Sequence, residues 1–377
     1  LSQGLKKKRK KKRLGPLTSR GGRREEAETP TSKGPQPWSR LFGCSREPTA
    51  PEQKRRKEMG TILILSNSKD GEHTDSVIGE IRKLGTSYFL LNVDEISCGK
   101  MSIHFYEDAG SFRFWLDSGS QTVSSDQIKS VWFRRPNHFS LEISNQAQRF
   151  FAERELSSCL EGLYFCLGGA FWVNDPKSLY VARKKIYQLM VAKRLGLDVP
   201  RTVVTNVSGE AHRFFEACEQ EMVYKTIGGC YVEKNEEAFS IYTSTVSKDN
   251  LRSLASMSKI PSLFQERLHG RELRITVIGE FVNAVEIEFS SQEVDWRRPE
   301  VLRTTSVKEV TISNELLETI KKMMSRLHIV FGAFDFILTP EGRYYFLEVN
   351  PNGQWYWIEK ATGVNLSRQI ASVLDMV

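Results

Sequence analysis

No Cys-x-x-Cys pair occurs in this 377-residue chain, and its six cysteines, at positions 44, 98, 159, 166, 218 and 230, are scattered. That spacing excludes a zinc ribbon and supplies no disulfide framework. No apolar run approaches the roughly 18 residues of a membrane helix, and no secretory signal opens the sequence. These absences point to reduced thiols in a cytoplasmic protein. The six histidines are dispersed, with no H-E-x-x-H spacing, so each reads as a packed or surface residue rather than a ligand. The phosphate loop G-x-x-x-x-G-K-[ST], the G-x-G-x-x-G fingerprint and the G-x-S-x-G elbow are all missing. No internal repeat is present.

What is there has ordinary soluble composition, 40% hydrophobic and 27% charged. The length suits two or three domains of roughly 150 residues each. The net charge of +8 is concentrated at one end. Residues 1–58 hold 18 Lys/Arg against six Glu, whereas the remainder holds 36 against 40 Asp/Glu. A basic folded surface for nucleic acid is therefore not expected. The first 58 residues, with an unbroken basic run from Lys6 to Arg13 and few large apolar residues, read as a disordered tail. The run reads either as a solvated, even non-native extension or as a nuclear address or polyanion-binding arm. Met59, directly before the first apolar run, reads as the natural start. Met59-Gly60 does not read as a lipidation signal, because Ile64 stands where Ser or Thr is wanted.

From Met59 the pattern is βαβ-like: apolar Ile62–Leu65, helical spacing over Thr74–Leu84, apolar Tyr88–Val93. Strands are expected at Ser102–Tyr106, Phe112–Leu116 and Val131–Phe133, and a long helix over Gln146–Leu167. Asp175-Pro176 reads as N-cap and first helical residue, with one helix following through Lys184 and Lys185 to Leu195. Strands then dominate: Met222–Thr226, Leu263–Arg267, Glu272–Ile278, Phe281–Phe289, Phe331–Leu338 and Arg343–Val349. Helices are expected at Asn314–Leu327 and Leu366–Leu374.

The strongest local signal lies in the last two strands. Phe331-Gly-Ala-Phe-Asp335-Phe-Ile-Leu338 and Arg343-Tyr-Tyr-Phe-Leu347-Glu348-Val349-Asn350 each carry a carboxylate in a run that should be core. A lone buried carboxylate is costly, so a partner is expected, which a structural salt bridge would also satisfy. Period-two alternation puts Glu348 and Asn350 on one face. A two-residue turn would pair Asp335 with Phe346 and bring Asp335 to that face; a three-residue turn with a Gly342 bulge would not. Converging Asp, Glu and Asn oxygens suit Mg²⁺.

Two weaker signals precede it. Lys225 ends a strand and Gly228-Gly229 follow, which lets backbone amides approach phosphate. Glu266 on a strand edge can read adenine's amine, Glu272 can take ribose hydroxyls, and Arg274 suits phosphate through its planar, permanently charged fork.

In order and spacing these residues resemble the ATP-grasp ligases over Met59 to Val377. Three stretches resemble the microviridin-type (graspetide) peptide ligases: Val131-Trp-Phe-Arg134-Arg135-Pro136, Asp295-Trp296-Arg297, and Glu348-Val-Asn350-Pro-Asn352-Gly-Gln-Trp355-Tyr-Trp357. The resemblance implies mixed α/β and α+β architecture, a Rossmann-like pre-ATP-grasp domain followed by a two-subdomain ATP-grasp fold. Its expected boundaries are a tail at 1–58, the pre-ATP-grasp domain at 59–172, and subdomains at 173–260 and 261–377. It implies that Lys184 and Lys225 hold the ATP phosphates, with Lys184 against Lys185 unresolved. Gly228 and Gly229 would line the phosphate loop, which is poorer in glycine than in glutathione-synthetase-like relatives. Glu266 and the backbone near Leu268 would meet adenine, Glu272 the ribose, and Asp335, Glu348 and Asn350 two Mg²⁺ ions. Arg274 and Arg297 would steady the transferring phosphoryl or an acyl phosphate, with Arg303 a further candidate.

The partner implied is a ribosomal precursor peptide with a leader, whose Asp or Glu side chain would be joined to a Ser/Thr hydroxyl or a Lys amine. No membrane or nucleic-acid partner is implied, and monomer against homodimer stays open. Pro37-Trp-Ser-Arg-Leu-Phe42 in the tail faintly resembles such a leader. Arg134 and Arg135 read equally as a domain-boundary ion pair, and Trp296, Trp355 and Trp357 as core or as substrate platforms. Two other functions keep the same ATP residues: an amino-acid or small-peptide ligase of the glutamate-ligase kind, and a non-catalytic nucleotide-binding protein.

Overall fold

The structure, a computed structural model, describes residues 60–108, 111–136, 141–228, 231–234, 237–253, 259–289, 294–298, 301 and 304–377. All of them lie in one unit, Ala50–Val377. The tail readings, Gly229 and Arg303 fall outside the described residues.

The apolar run after Met59 becomes β1 (Thr61–Ser66), followed by α1 (Gly71–Lys83) and β2 (Tyr88–Asn92). An antiparallel side sheet follows, of β3 (Ser102–Asp108), β4 (Ser111–Asp117) and β5 (Thr122–Ser124). Then come β6 (Ile128–Phe133), α2 (Gln146–Cys166) and β7 (Phe171–Val173). The parallel sheet has the order β2-β1-β6-β7. Leu63 and Leu65 enter one core with α2, while Ile62 and Ile64 enter a second with residues of the C-terminal half. Burial on both faces is why β1 reads as an unbroken apolar run.

Asp175 caps the next helix through Lys177 N and Ser178 N, with Pro176 in first position. The single helix expected here is two: α3 (Pro176–Ala182) and α4 (Lys185–Arg194). They are separated at Lys184, whose backbone is extended.

The central part holds β8 (Thr202–Thr205), α5 (Ser208–Ala217), β9 (Met222–Lys225), the hairpin β10 (Tyr231–Lys234) and β11 (Glu237–Ser240), β12 (Ser244–Thr245), α6 (Lys248–Ser253) and β13 (Ser262–Glu266). An antiparallel sheet runs in the order β12-β9-β13-β8. The expected boundary at 260/261 cuts through this sheet, because β13 bonds to both β8 and β9.

The last part holds β14 (Arg271–Ile278), β15 (Phe281–Glu288), β16 (Ser306–Glu309), α7 (Asn314–Leu327), β17 (Phe331–Leu338), β18 (Tyr344–Asn350), α8 (Tyr356–Thr362) and α9 (Leu366–Asp375). Its sheet runs β16-β15-β14-β17-β18, so β18 is an edge. α7 buries Leu316, Ile320, Met323, Met324 and Leu327, one helical stripe, in the same core as Ile275, Phe334 and Phe346. α9 reaches back to the first sheet: Ser130 Oγ donates to Leu374 O at 2.7 Å and Lys129 pairs with Asp375 at 2.9 Å.

The β17–β18 register differs from both sequence expectations. The connection has three residues, with Gly342 at φ 81° and Thr339 N donating to Arg343 O at 3.0 Å. Pairing starts as Leu338–Tyr344 and Phe336–Phe346. A bulge at Leu347 then shifts it, so Asp335 pairs with Glu348, not with Phe346.

Candidate active site

A cleft of about 730 Å³ is lined by residues of the β12-β9-β13-β8 sheet, of the β16-β15-β14-β17-β18 sheet and of the 294–297 segment. From the last sheet, alternation on β14 sends Glu272 and Arg274 to one face. Arg274 stands opposite Asp335 in register, with Nε 2.7 Å from Oδ1. Glu348 lies beside Asp335, and Asn350, two residues on, donates to Glu348 Oε1 at 3.2 Å. From the central sheet come Lys225, at the end of β9, and Gln265 and Glu266, at the end of β13.

Lys185, the first residue of α4, reaches Glu348 Oε2 at 3.0 Å and lines the cleft. Lys184 does not: its ammonium sits over the Tyr180 ring, 4.3 Å from the centroid. The structure thus brings Lys185, not Lys184, to the cleft, and the helix break at Lys184 is the physical reason. Glu266 lines the cleft, with its carboxylate held by Arg201, from the backbone N at 2.8 Å and from Nε at 2.6 Å. Its neighbour Gln265 is buried, donates to Thr202 Oγ1 at 3.0 Å, and keeps Oε1 without a partner. Leu268 also lines the cleft. Gly228 lies in an exposed bend after β9, where a Cβ would meet nothing.

Arg297 is gripped by Asp295, with Nε to Oδ1 at 2.8 Å and Nη2 to Oδ2 at 2.7 Å, and its Nη1 stands 4.0 Å from Glu348 Oε1. Asp295 also accepts Thr243 N at 3.0 Å. Trp296 is buried, packs on Trp357 at 5.0 Å between centroids and also lines the cleft. Gln265 and Asp295 were not among the site residues expected from sequence, and Lys185 stood there only as the alternative to Lys184. Asp295 carried a signal, since Asp-x-Arg places a carboxylate where it can fork onto its own arginine.

Burial and charge act against each other here. Burial raises Glu272 to about 7, with help from the negative charges of Asp335 and Asp295. It raises Asp335 too, despite Arg274. Burial would also raise Glu348, but Lys185, Arg297 and Lys225 overcome it and hold that carboxylate at about 2. Burial pushes the Lys225 ammonium down, with Glu348 resisting. Burial would lower Arg297, yet its bonds to Asp295 hold it above the usual range.

Among the described residues no group of three His, Cys, Asp or Glu forms a ready metal cluster. Two carboxylates and one amide are an all-oxygen set, which fits Mg²⁺ because that ion keeps waters and phosphate oxygens for its other positions. The described cysteines, Cys98, Cys159, Cys166 and Cys218, are free thiols, and no described helix is long and apolar enough to cross a membrane.

A lysine-ended sheet facing a carboxylate-bearing sheet across a cleft, behind a parallel-sheet domain, defines an ATP-dependent ligase of the ATP-grasp class. Comparison narrows it. Residues 61–179 match the MvdD pre-ATP-grasp domain and residues 182–374 the RimK-like ATP-grasp domain. A RiPP-associated ATP-grasp ligase of Chryseobacterium gregarium, solved with ADP and a leader and core peptide, is 28% identical, with TM-score 0.78, covering 84% of this chain and 96% of that one. The macrocyclase MdnB of Microcystis aeruginosa is 31% identical, with TM-score 0.70 over 84% and 100%. MdnC of the same organism, bound with precursor peptide MdnA, is 26% identical, with TM-score 0.74 over 83% and 99%. No curated protein matches the sequence. The chain belongs to the RimK-like ATP-grasp family, among the RiPP-associated ligases of the microviridin type.

Proposed function

We propose that this chain uses ATP to cross-link a ribosomal precursor peptide. A substrate carboxylate oxygen attacks the γ-phosphorus and ADP leaves; a hydroxyl or amine then attacks the acyl carbon and phosphate leaves, giving an ester or amide. The observation that carries this reading is the convergence of Lys185, Arg274 and Arg297 on the paired carboxylates Asp335 and Glu348 within one cleft.

Each residue then has a task. Lys185 and Lys225 hold phosphates, with Gly228 in the bend after β9. Gln265, through its unpartnered oxygen, and the backbone near Leu268 meet the adenine amine. Glu272 takes the ribose. Arg297, fixed by Asp295, and Arg274 orient the carboxylate and the transferring phosphoryl. Asp335, Glu348 and Asn350 would hold two Mg²⁺ ions, whose charge, when they are bound, offsets that of the phosphates. With little covalent work left for the protein, positioning carries most of the rate gain. The relatives solved with leader and precursor peptides support a peptide partner.

The test is to mix the chain with ATP, Mg²⁺ and a precursor peptide encoded beside it. Loss of one water mass per cross-link, with one ADP and one phosphate formed, is expected. Release of AMP and pyrophosphate excludes the acyl-phosphate route.

A further inference from the structure

The edge of the last sheet is closed by side chains and loops rather than by another strand. On the free side of β18, Phe346 N donates to Asp198 O at 2.8 Å. Val349 then turns both its backbone groups outward to one side chain, Gln188 on α4. Gln188 Oε1 accepts Val349 N at 3.0 Å, and Gln188 Nε2 donates to Val349 O at 2.8 Å and to Ala182 O at 2.5 Å.

In a regular antiparallel strand, alternate residues face the free edge, so 346, 348 and 350 should do so. Here the outward residues are Phe346 and Val349, three apart. That is the mark of the extra residue at Leu347, and Gln188 bonds to the strand directly beyond it. Gln188 is 2% exposed and all its amide hydrogen-bonding groups but one lone pair are engaged, so these three bonds use it fully. It also lies one turn along α4 from Lys185, which pairs with Glu348.

We infer that Gln188 is a positioning residue that pins the Leu347 bulge and thereby keeps Glu348 beside Asp335. The inference rests on the reading above, in which those two carboxylates hold Mg²⁺. It extends that reading, since Gln188 is not among the residues that line the cleft. A slip that removed the bulge would turn Glu348 to the opposite face of the sheet.

The test titrates ADP into the full chain with and without Mg²⁺, and follows amide hydrogen exchange across β18. Gln188→Leu should keep the wild-type ADP affinity without Mg²⁺ and lose roughly tenfold of the Mg²⁺-dependent gain, as second-sphere changes do. Exchange at Val349 should rise while α7 and β14 stay protected. Gln188→Glu keeps the acceptor for Val349 N and loses the donors, so it should fall between the two. If the Leu variant does not fold, the Glu variant decides. A wild-type Mg²⁺ gain in the folded variants, or equal loss with and without Mg²⁺, overturns the inference. A wild type with no Mg²⁺ gain sinks the metal reading instead, and unchanged Val349 protection in the variants then overturns the role of Gln188 separately.

Discussion

Asp335 and Glu348 stand directly opposite each other across β17 and β18, one residue out of step with the hairpin that joins them. The three-residue turn at Pro340-Glu341-Gly342 sets a register that would place Leu347 against Asp335 and send Glu348 to the other face. The extra residue at Leu347 reverses that parity. Two carboxylates on one face repel, and Asp335 is raised by burial first and by Glu348 as well. Arg274, Lys185 and Arg297 make the arrangement tolerable by supplying positive charge to the pair. Such a site resists folding slightly and welcomes a cation.

Asp335→Asn and Glu348→Gln keep shape while removing one charge each. Turnover should fall by at least about 100-fold in each, because the phosphoryl group loses its neutralising ions. The melting temperature of Asp335→Asn should hold or rise, because burial raises that carboxylate, whereas Glu348→Gln should melt lower, because Lys185, Arg297 and Lys225 favour the ionised Glu348 in the fold. Calorimetric ADP titrations should lose their Mg²⁺ dependence. Wild-type turnover in both variants would end the ligase reading.

The two neighbouring lysines give a sharper contrast. Lys185→Ala removes the ammonium 3.0 Å from Glu348 and should weaken nucleotide binding and turnover together, as should Lys225→Ala. Lys184→Ala removes only a contact with the exposed Tyr180 ring and should leave both near wild type. Equal losses at Lys184 and Lys185, measured by ADP binding, would refute the placement.

Much of this was legible beforehand and the rest was hidden for identifiable reasons. Asp175-Pro176, the apolar stripe of α7 and the paired strands β17 and β18 follow from local rules of capping and periodicity. The Leu347 bulge follows from none, because no glycine or proline marks it. Choosing Lys185 over Lys184 required the helix break between α3 and α4, and adjacent identical residues carry no such cue. Gln188 meets Val349 across 161 residues of sequence, a partnership that only the tertiary fold sets. Of the two readings of Arg134, the structural one is realised in the fold.

Glu272 makes ligand-free stability depend on pH. Its carboxyl is raised by burial from 4.5 to about 7 in the folded chain. Below pH 4.5 both folded and unfolded chains keep the proton. Between 4.5 and 7 the unfolded chain gives it up first, so this contribution to stability drains away as pH rises, and above 7 the loss is complete. Glu272→Gln should therefore gain on wild type as pH increases. Denaturant midpoints at pH 5 and pH 8 check this: an equal difference at both would refute it.

Arg134 offers the largest predicted loss of stability. Its guanidinium is buried and donates to Asp70, from Nε to Oδ2 at 2.8 Å and from Nη2 to Oδ1 at 3.2 Å. It also reaches the carbonyls of Asn352 and Gly353 at 3.3 Å and lies 4.7 Å over the Trp355 ring. One side chain thus bolts the end of β6 to the turn directly after Asn350. Burial drags its proton affinity down to about 10, so it stays charged at neutral pH and its loss strands a buried Asp70. Arg134→Met should cost about 3–5 kcal/mol, the usual penalty for orphaning one member of a buried pair. Adding Asp70→Asn should recover part of that, because the leftover charge, not the missing attraction, is the larger penalty. Urea unfolding of the two variants decides it: a double variant no more stable than Arg134→Met would show that the bolt works through Trp355 and the carbonyls instead.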